Sequence, residues 1–213
     1  MLGRRDAGDT LIEVLFAVSI FSAVAIGTIL IMNQGISSAQ NALEINLVRN
    51  QIDTQAELLR HLNGAKLTSI GRDGTDASAE WDKAVGATSG TTGNAAYAPS
   101  PQAESYDKIT TYEECTPDSL PANAFYINPK TGEVQRNIVS AVTFAQVQTG
   151  DGAPVESNML WIEPVSSQYD ASDTTLRLTT YYDFHIRACW DASGARGGVM
   201  KLGTIVRLYV PKQ

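Results

Sequence analysis

The chain has 213 residues, with 16 lysines and arginines against 23 aspartates and glutamates, and a formal net charge of −7. This acidity argues against nucleic acid as a partner, because a phosphate backbone rewards clustered Lys and Arg. Two His and two Cys with no CxxC pair supply no zinc-ligand set, so neither a metal nor a cofactor is expected. Charged residues make up only 18% of the chain, and the deficit is local, since none lies between Glu13 and Glu44. The length suits one domain carrying an appended segment.

The N-terminus is the informative part. Arg4 and Arg5 come first, then Gly8-Asp9-Thr10-Leu11-Ile12-Glu13, then an uncharged run from Val14 to Met32 in which Ser19, Ser22 and Thr28 are the polar side chains. As a helix this run spans roughly the 30 Å hydrocarbon core of a bilayer. The basic pair in front of it predicts a single-pass protein with a cytoplasmic N-terminus and the bulk of the chain outside.

No proline precedes Pro99, so the helix is expected to continue past the membrane. Ile45, Val48, Ile52, Leu59 and Leu62 form one stripe, interrupted by Gln55. That is an amphipathic helix with one face to bury, and Asn63-Gly64 reads as its stop. The predicted helix covers residues 9–63. Glu13 stands out, because a carboxylate near the start of a membrane helix is costly. It needs either a partner or the favourable field of the helix N-terminus.

The segment Gly8-Asp9-Thr10-Leu11-Ile12-Glu13-Val14-Leu15-Phe16-Ala17 resembles the class III signal of type IV pilins and their relatives. The resemblance implies a leader at residues 1–8, cut between Gly8 and Asp9 by a membrane prepilin peptidase that then methylates the new amine. Glu13 then falls at the fifth mature position, where the family's glutamate pairs with the N-terminal amine of a neighbouring subunit. Asp9 departs from the Phe or Met usual at the first mature position. The implied function is a structural subunit, a minor pilin, of a type IV pilus-like filament. Its implied partners are other pilin subunits and, before assembly, the cytoplasmic membrane. A pseudopilin of a type II secretion or DNA-uptake system shares this N-terminus, and a membrane-anchored extracellular binding module is the remaining alternative. Ordinary secretion with cleavage after Ser37-Ser38-Ala39 fits less well, because the apolar run exceeds a normal signal-peptide core.

Residues 64–105, rich in Gly, Ser, Thr and Ala, read as a loop region, most clearly at Gly86–Asn94. Residues 106–213 read as an antiparallel β-sheet domain. The expected strands are Lys108–Glu113, Ala124–Asn128 and Gly132–Arg136, with a turn at Pro129–Gly132. They continue with Ala141–Gln148, Met159–Glu163 halted by Pro164, and Thr175–Trp190. In that last run Tyr182, Phe184, Ile186 and Trp190 share one face, and Asp183, His185 and Arg187 the other. Leu202, Val206, Leu208 and Val210 repeat the pattern. The expected fold is α+β, a long N-terminal helix packed on a C-terminal antiparallel sheet.

Cys115 and Cys189 both fall in the part predicted to be exported, which suggests a disulfide, with two buried thiols as the alternative. No metalloprotease, hydrolase, P-loop or dinucleotide motif is present, and enzymatic activity is not expected. His61 and His185 read as solvated surface residues. Asp170, Asp173 and Asp191 lie in turns that match no EF-hand loop.

Overall fold

The computed structural model describes residues 9–69, 76–86, 99–100, 115–148, 155–166, 179–192 and 198–211. The leader residues Arg4, Arg5 and Gly8, the expected strand at Lys108–Glu113, and Asp170 and Asp173 lie outside them. Helix α1 runs unbroken over Asp9–Ser69, 61 residues, about 90 Å at 1.5 Å per residue. It passes through the expected stop at Asn63-Gly64. Asn63 turns its amide toward the sheet and donates to the Tyr209 carbonyl at 3.2 Å, so it does not end the helix. Lys66, in the last turn, meets Asp82 at 2.8 Å.

That contact belongs to helix α2, Asp76–Ala84, which occupies part of the region expected to be loop. Ala77, Trp81, Ala84 and Val85 fall at helical spacing, and Trp81 is fully buried. Its ring meets Tyr182 and Phe184 edge-on at 6.1 and 5.5 Å. Glu80 accepts from the Val134 backbone N–H at 2.8 Å and fixes α2 to the first hairpin.

That hairpin is β1 (Tyr126–Ile127) with β2 (Val134–Gln135), antiparallel, closed at the expected Pro129–Gly132 turn. Gly132 adopts φ +75°, which a side chain rarely tolerates, and its N–H returns to the Asn128 carbonyl at 2.8 Å. A second small sheet has the order β3–β5–β4, from Ile138–Val139, Glu156–Asn158 and Gln146–Gln148. Its β3–β5 pair is parallel, a departure from the expected antiparallel pattern. The expected strand at Ala141–Gln148 forms only over its last three residues.

The main sheet is antiparallel with the order β6–β7–β8, from Leu160–Ser166, Thr179–Asp191 and Val199–Pro211. Pro164 does not halt β6, because its nitrogen faces the outer edge of the strand, where no ladder donor is missing. Its carbonyl on that edge accepts from Ser100, and Ile162 exchanges both backbone bonds with Phe125. Met159 makes the step from β5 to β6 at φ 47°, held by Val139 on one side and Cys189 on the other.

One face of the main sheet carries Phe184, Ile186, Ala188, Trp190 and Val206, packed on the α1 stripe and α2. This is the α+β arrangement anticipated from the sequence. The other face is covered at one end by a smaller cluster of Cys115, Ala124, Met159, Trp161 and Cys189. The Cys115–Cys189 disulfide lies within it.

Candidate functional site

The first half of α1 is bare. Its best 18-residue window has a mean hydropathy of 2.6 and is 0% buried, so this one helix is long and apolar enough to cross a membrane. Leu11, Phe16, Phe21, Ile31 and their neighbours are all exposed, as are Ile36 and Leu43 further along. Its polar side chains are satisfied within the helix. Ser19 and Ser22 donate to the carbonyls of Leu15 and Val18 at 2.7 Å, and Thr28 donates to Val24 at 2.8 Å. Hydroxyls bonded back in this way leave no orphan donor for lipid. Glu13 is exposed on this helix, and no described group pairs with it. Asp9 is its first residue. Gly27 and Gly35 sit in continuous helix with open space where a Cβ would be.

The second half of α1 is tied down residue by residue. Val48, Ile52, Leu59 and Leu62 are buried as the stripe requires. Four polar side chains do what the apolar stripe cannot, by binding backbone or indole groups of four different strands or their ends. Glu44 accepts from the Trp190 indole N–H at 3.1 Å. Gln51 accepts from the Val147 N–H at 3.4 Å, Gln55 brackets Ile127, and Asn63 reaches Tyr209. Glu44 is also the first charge after the apolar run, so the anchorage begins where the uncharged helix ends.

The outer face of β7 is not the solvated row expected for it. Arg187 is buried and meets the fully buried Glu163 at 3.2 Å. His185 is half-buried. Burial lowers its pKa below the ordinary value, Arg187 adds to that, and Asp183 opposes it. Asp183 is bound by the Arg207 guanidinium through two bonds of 2.7 Å. That hydrogen bonding holds its carboxyl below the usual range against partial burial. Tyr182 and Trp190 belong to the core, whereas Tyr181 lies under Arg207, 4.4 Å from the ring centre. His61 is exposed on α1, and Asp191 is exposed at the end of β7.

Among the described residues no group of His, Cys, Asp and Glu is placed to hold a metal ion. The described arrangement is an apolar helix joined without a break to a domain that grips its far half. The sequence signals of that grip were Gln55, out of place in an apolar stripe, and Glu44, ending a charge-free run. The Glu163–Arg187 pair left no such signal, since alternation put Arg187 on the polar face of its strand and Glu163 ended an otherwise apolar run. No protein-family model, no curated protein and no solved structure matches this chain.

Proposed function

We propose that this protein is the precursor of a pilin-like structural subunit, a minor pilin, stored in the cytoplasmic membrane and assembled into a type IV pilus-like filament. The observation that carries the reading is the coincidence of three features in one segment. Gly8-Asp9-Thr10-Leu11-Ile12-Glu13 sits at its start, its first half is bare and apolar, and its second half is buried against a sheet. A chain with only an anchor has no need of Glu13 at that depth.

Residues 1–8 act as the leader, with Arg4 and Arg5 holding the N-terminus in the cytoplasm. A prepilin peptidase cuts between Gly8 and Asp9. Assembly exchanges lipid for helix–helix contacts along Leu11–Ile36, where the large apolar side chains are exposed. Glu13 meets the free amine of a neighbouring subunit, and the ion pair removes the cost of carrying a lone carboxylate into an apolar bundle. The anchorage from Glu44 to Asn63 transmits the helix position to the exported domain.

The test is to express the full chain with and without a prepilin peptidase and to determine the N-terminus by intact mass and peptide sequencing. A mature chain beginning at Asp9, methylated at its amine, supports the reading. A chain left uncut by active peptidase, or one beginning at Gln40, sinks it.

A further inference from the structure

Residues 115–124 cross the outer face of the main sheet as a strap, from β6 to β7. Two of its backbone bonds are internal. The Leu120 N–H donates to the Pro117 carbonyl at 3.1 Å, closing a single 3-10 turn over Pro117–Ser119, and the Ala124 N–H donates to the Pro121 carbonyl at 2.9 Å. Such bonds go with the strap wherever it goes, and they do not tie it to the sheet.

The two ends are fastened differently. At the C-terminal end the tie is non-covalent and local. Phe125 and Ile162 exchange both backbone bonds, at 3.0 and 2.7 Å, and the Asn123 amide donates to the Pro164 carbonyl at 3.3 Å. At the other end Cys115 is linked to Cys189 of β7. Between the ends the strap adds Leu120 and Ala124 to the outer cluster, over Met159 and Trp161, which are both 0% exposed. The conformational entropy of ordering the strap opposes its closure, and two modest apolar side chains offset little of it. The inner face differs. There the α1 stripe, Trp81, Phe184, Ile186 and Trp190 form one large apolar cluster that contains no cysteine.

We propose that residues 115–124 are a redox-controlled strap, closed over Met159 and Trp161 when Cys115 and Cys189 are joined and open about Asn123–Phe125 when a thiol reductant converts them to two thiols. The reductant is oxidised to its own disulfide in that step, and the helix-packed inner face stays closed throughout. Where the domain is exported, as the basic pair before the membrane helix predicts, the thiols are reduced before the crossing and joined after it. The strap is then the last part of the domain to close. The inference does not rest on the filament reading.

The sheet divides the chain's three tryptophans into reporters, with Trp81 and Trp190 in the inner cluster and Trp161 in the outer. The full chain is labelled with 5-fluorotryptophan in nanodiscs, and its fluorine resonances are assigned through Trp161→Phe. A water-soluble nitroxide then reads the access of solvent to each ring. In the oxidised chain all three lines are expected to stay sharp. With excess dithiothreitol, reduction being scored by alkylation and mass, the Trp161 line is expected to broaden while Trp81 and Trp190 stay sharp, and reoxidation restores it. Cys115→Ser carries the same expectation without a reductant having to reach the buried sulfurs. A Trp161 line still sharp in both the reduced chain and Cys115→Ser would overturn the proposal. So would broadening of all three lines together, or a Trp161 line that reoxidation does not restore.

Discussion

The side-chain amide of Gln55 behaves as a strand toward Ile127. Its Nε2 donates to the Ile127 carbonyl at 2.7 Å, and its Oε1 accepts from the Ile127 N–H at 2.8 Å. Both residues are buried, so both backbone groups of Ile127 depend on this one side chain. A short strand lying against a helix cannot complete its own ladder, and the helix supplies the missing pair of bonds.

Replacing Gln55 should therefore cost more than an average polar substitution. Gln55→Ala leaves two buried backbone groups unpaired, at about 1–3 kcal/mol each. Gln55→Leu makes the stripe uniformly apolar and is nevertheless expected to destabilise, by about 2–4 kcal/mol. Urea unfolding of the full chain in detergent, followed by tryptophan fluorescence, measures both. A Leu variant as stable as the parent would refute this account.

Gln55 also marks how far the sequence could be read. Hydrophobic spacing gave the long helix, its buried stripe, the Pro129–Gly132 hairpin and the two long strands, because one residue's neighbours in the chain determine each of these. It missed α2, where one tryptophan among small residues carries a short helix. It also stopped β6 at Pro164, since edge position is a property of the sheet and not of the segment. Gln55 and Glu44 were visible as exceptions, but what they bind lies far along the chain. The outer face of β7 failed for a related reason. Alternation separates two faces, yet the disulfide-linked cluster covers one end of the second.

That cluster makes a prediction about the disulfide. The Cys115–Cys189 link closes a separation of 74 residues, so in the chain-entropy account its loss costs about 4–5 kcal/mol. Replacing both cysteines by alanine should loosen the Met159, Trp161 and Ala124 cluster first. Amide exchange at Cys189→Ala and its neighbours should rise well before exchange at Phe184, which packs on the opposite face. A uniform rise across β7 would show instead that the two clusters unfold as one.

The Glu163–Arg187 pair should behave as a unit. Removing one partner takes a buried charge out of its 3.2 Å ion pair, at a cost of up to about 3–5 kcal/mol, so Glu163→Gln and Arg187→Met are each expected to destabilise. The double variant Glu163→Leu with Arg187→Met should recover most of that loss, since well-packed apolar residues replace such pairs at little cost. A double-mutant cycle in thermal unfolding reads the coupling. Additive losses in the double variant would mean that the two charges are held by other groups.

Two titrations bound the stability in opposite directions. The His185 pKa is lowered from 6.5 by burial first and by Arg187 second. The unfolded chain therefore takes up its proton before the folded one, and stability falls as pH drops below 6.5 toward the lower folded value. The Asp183 pKa is lowered from 3.8, so its contribution is lost only as pH falls below that value. Tyr126 works at the other end. Its hydroxyl donates in a buried site shared by Val155 and Gln135, and burial, then Glu156, pushes its pKa from 10.0 to about 12. The unfolded chain loses that proton first, so stability holds below pH 10.0 and declines toward about 12. His185→Gln should flatten the acid limb near pH 6 and leave the alkaline one. Tyr126→Phe should flatten the alkaline limb while lowering neutral stability by about 1–2 kcal/mol for the lost hydrogen bonds. Unfolding midpoints of the three chains across pH decide the matter, and an acid limb unchanged in His185→Gln would assign it to the carboxylates.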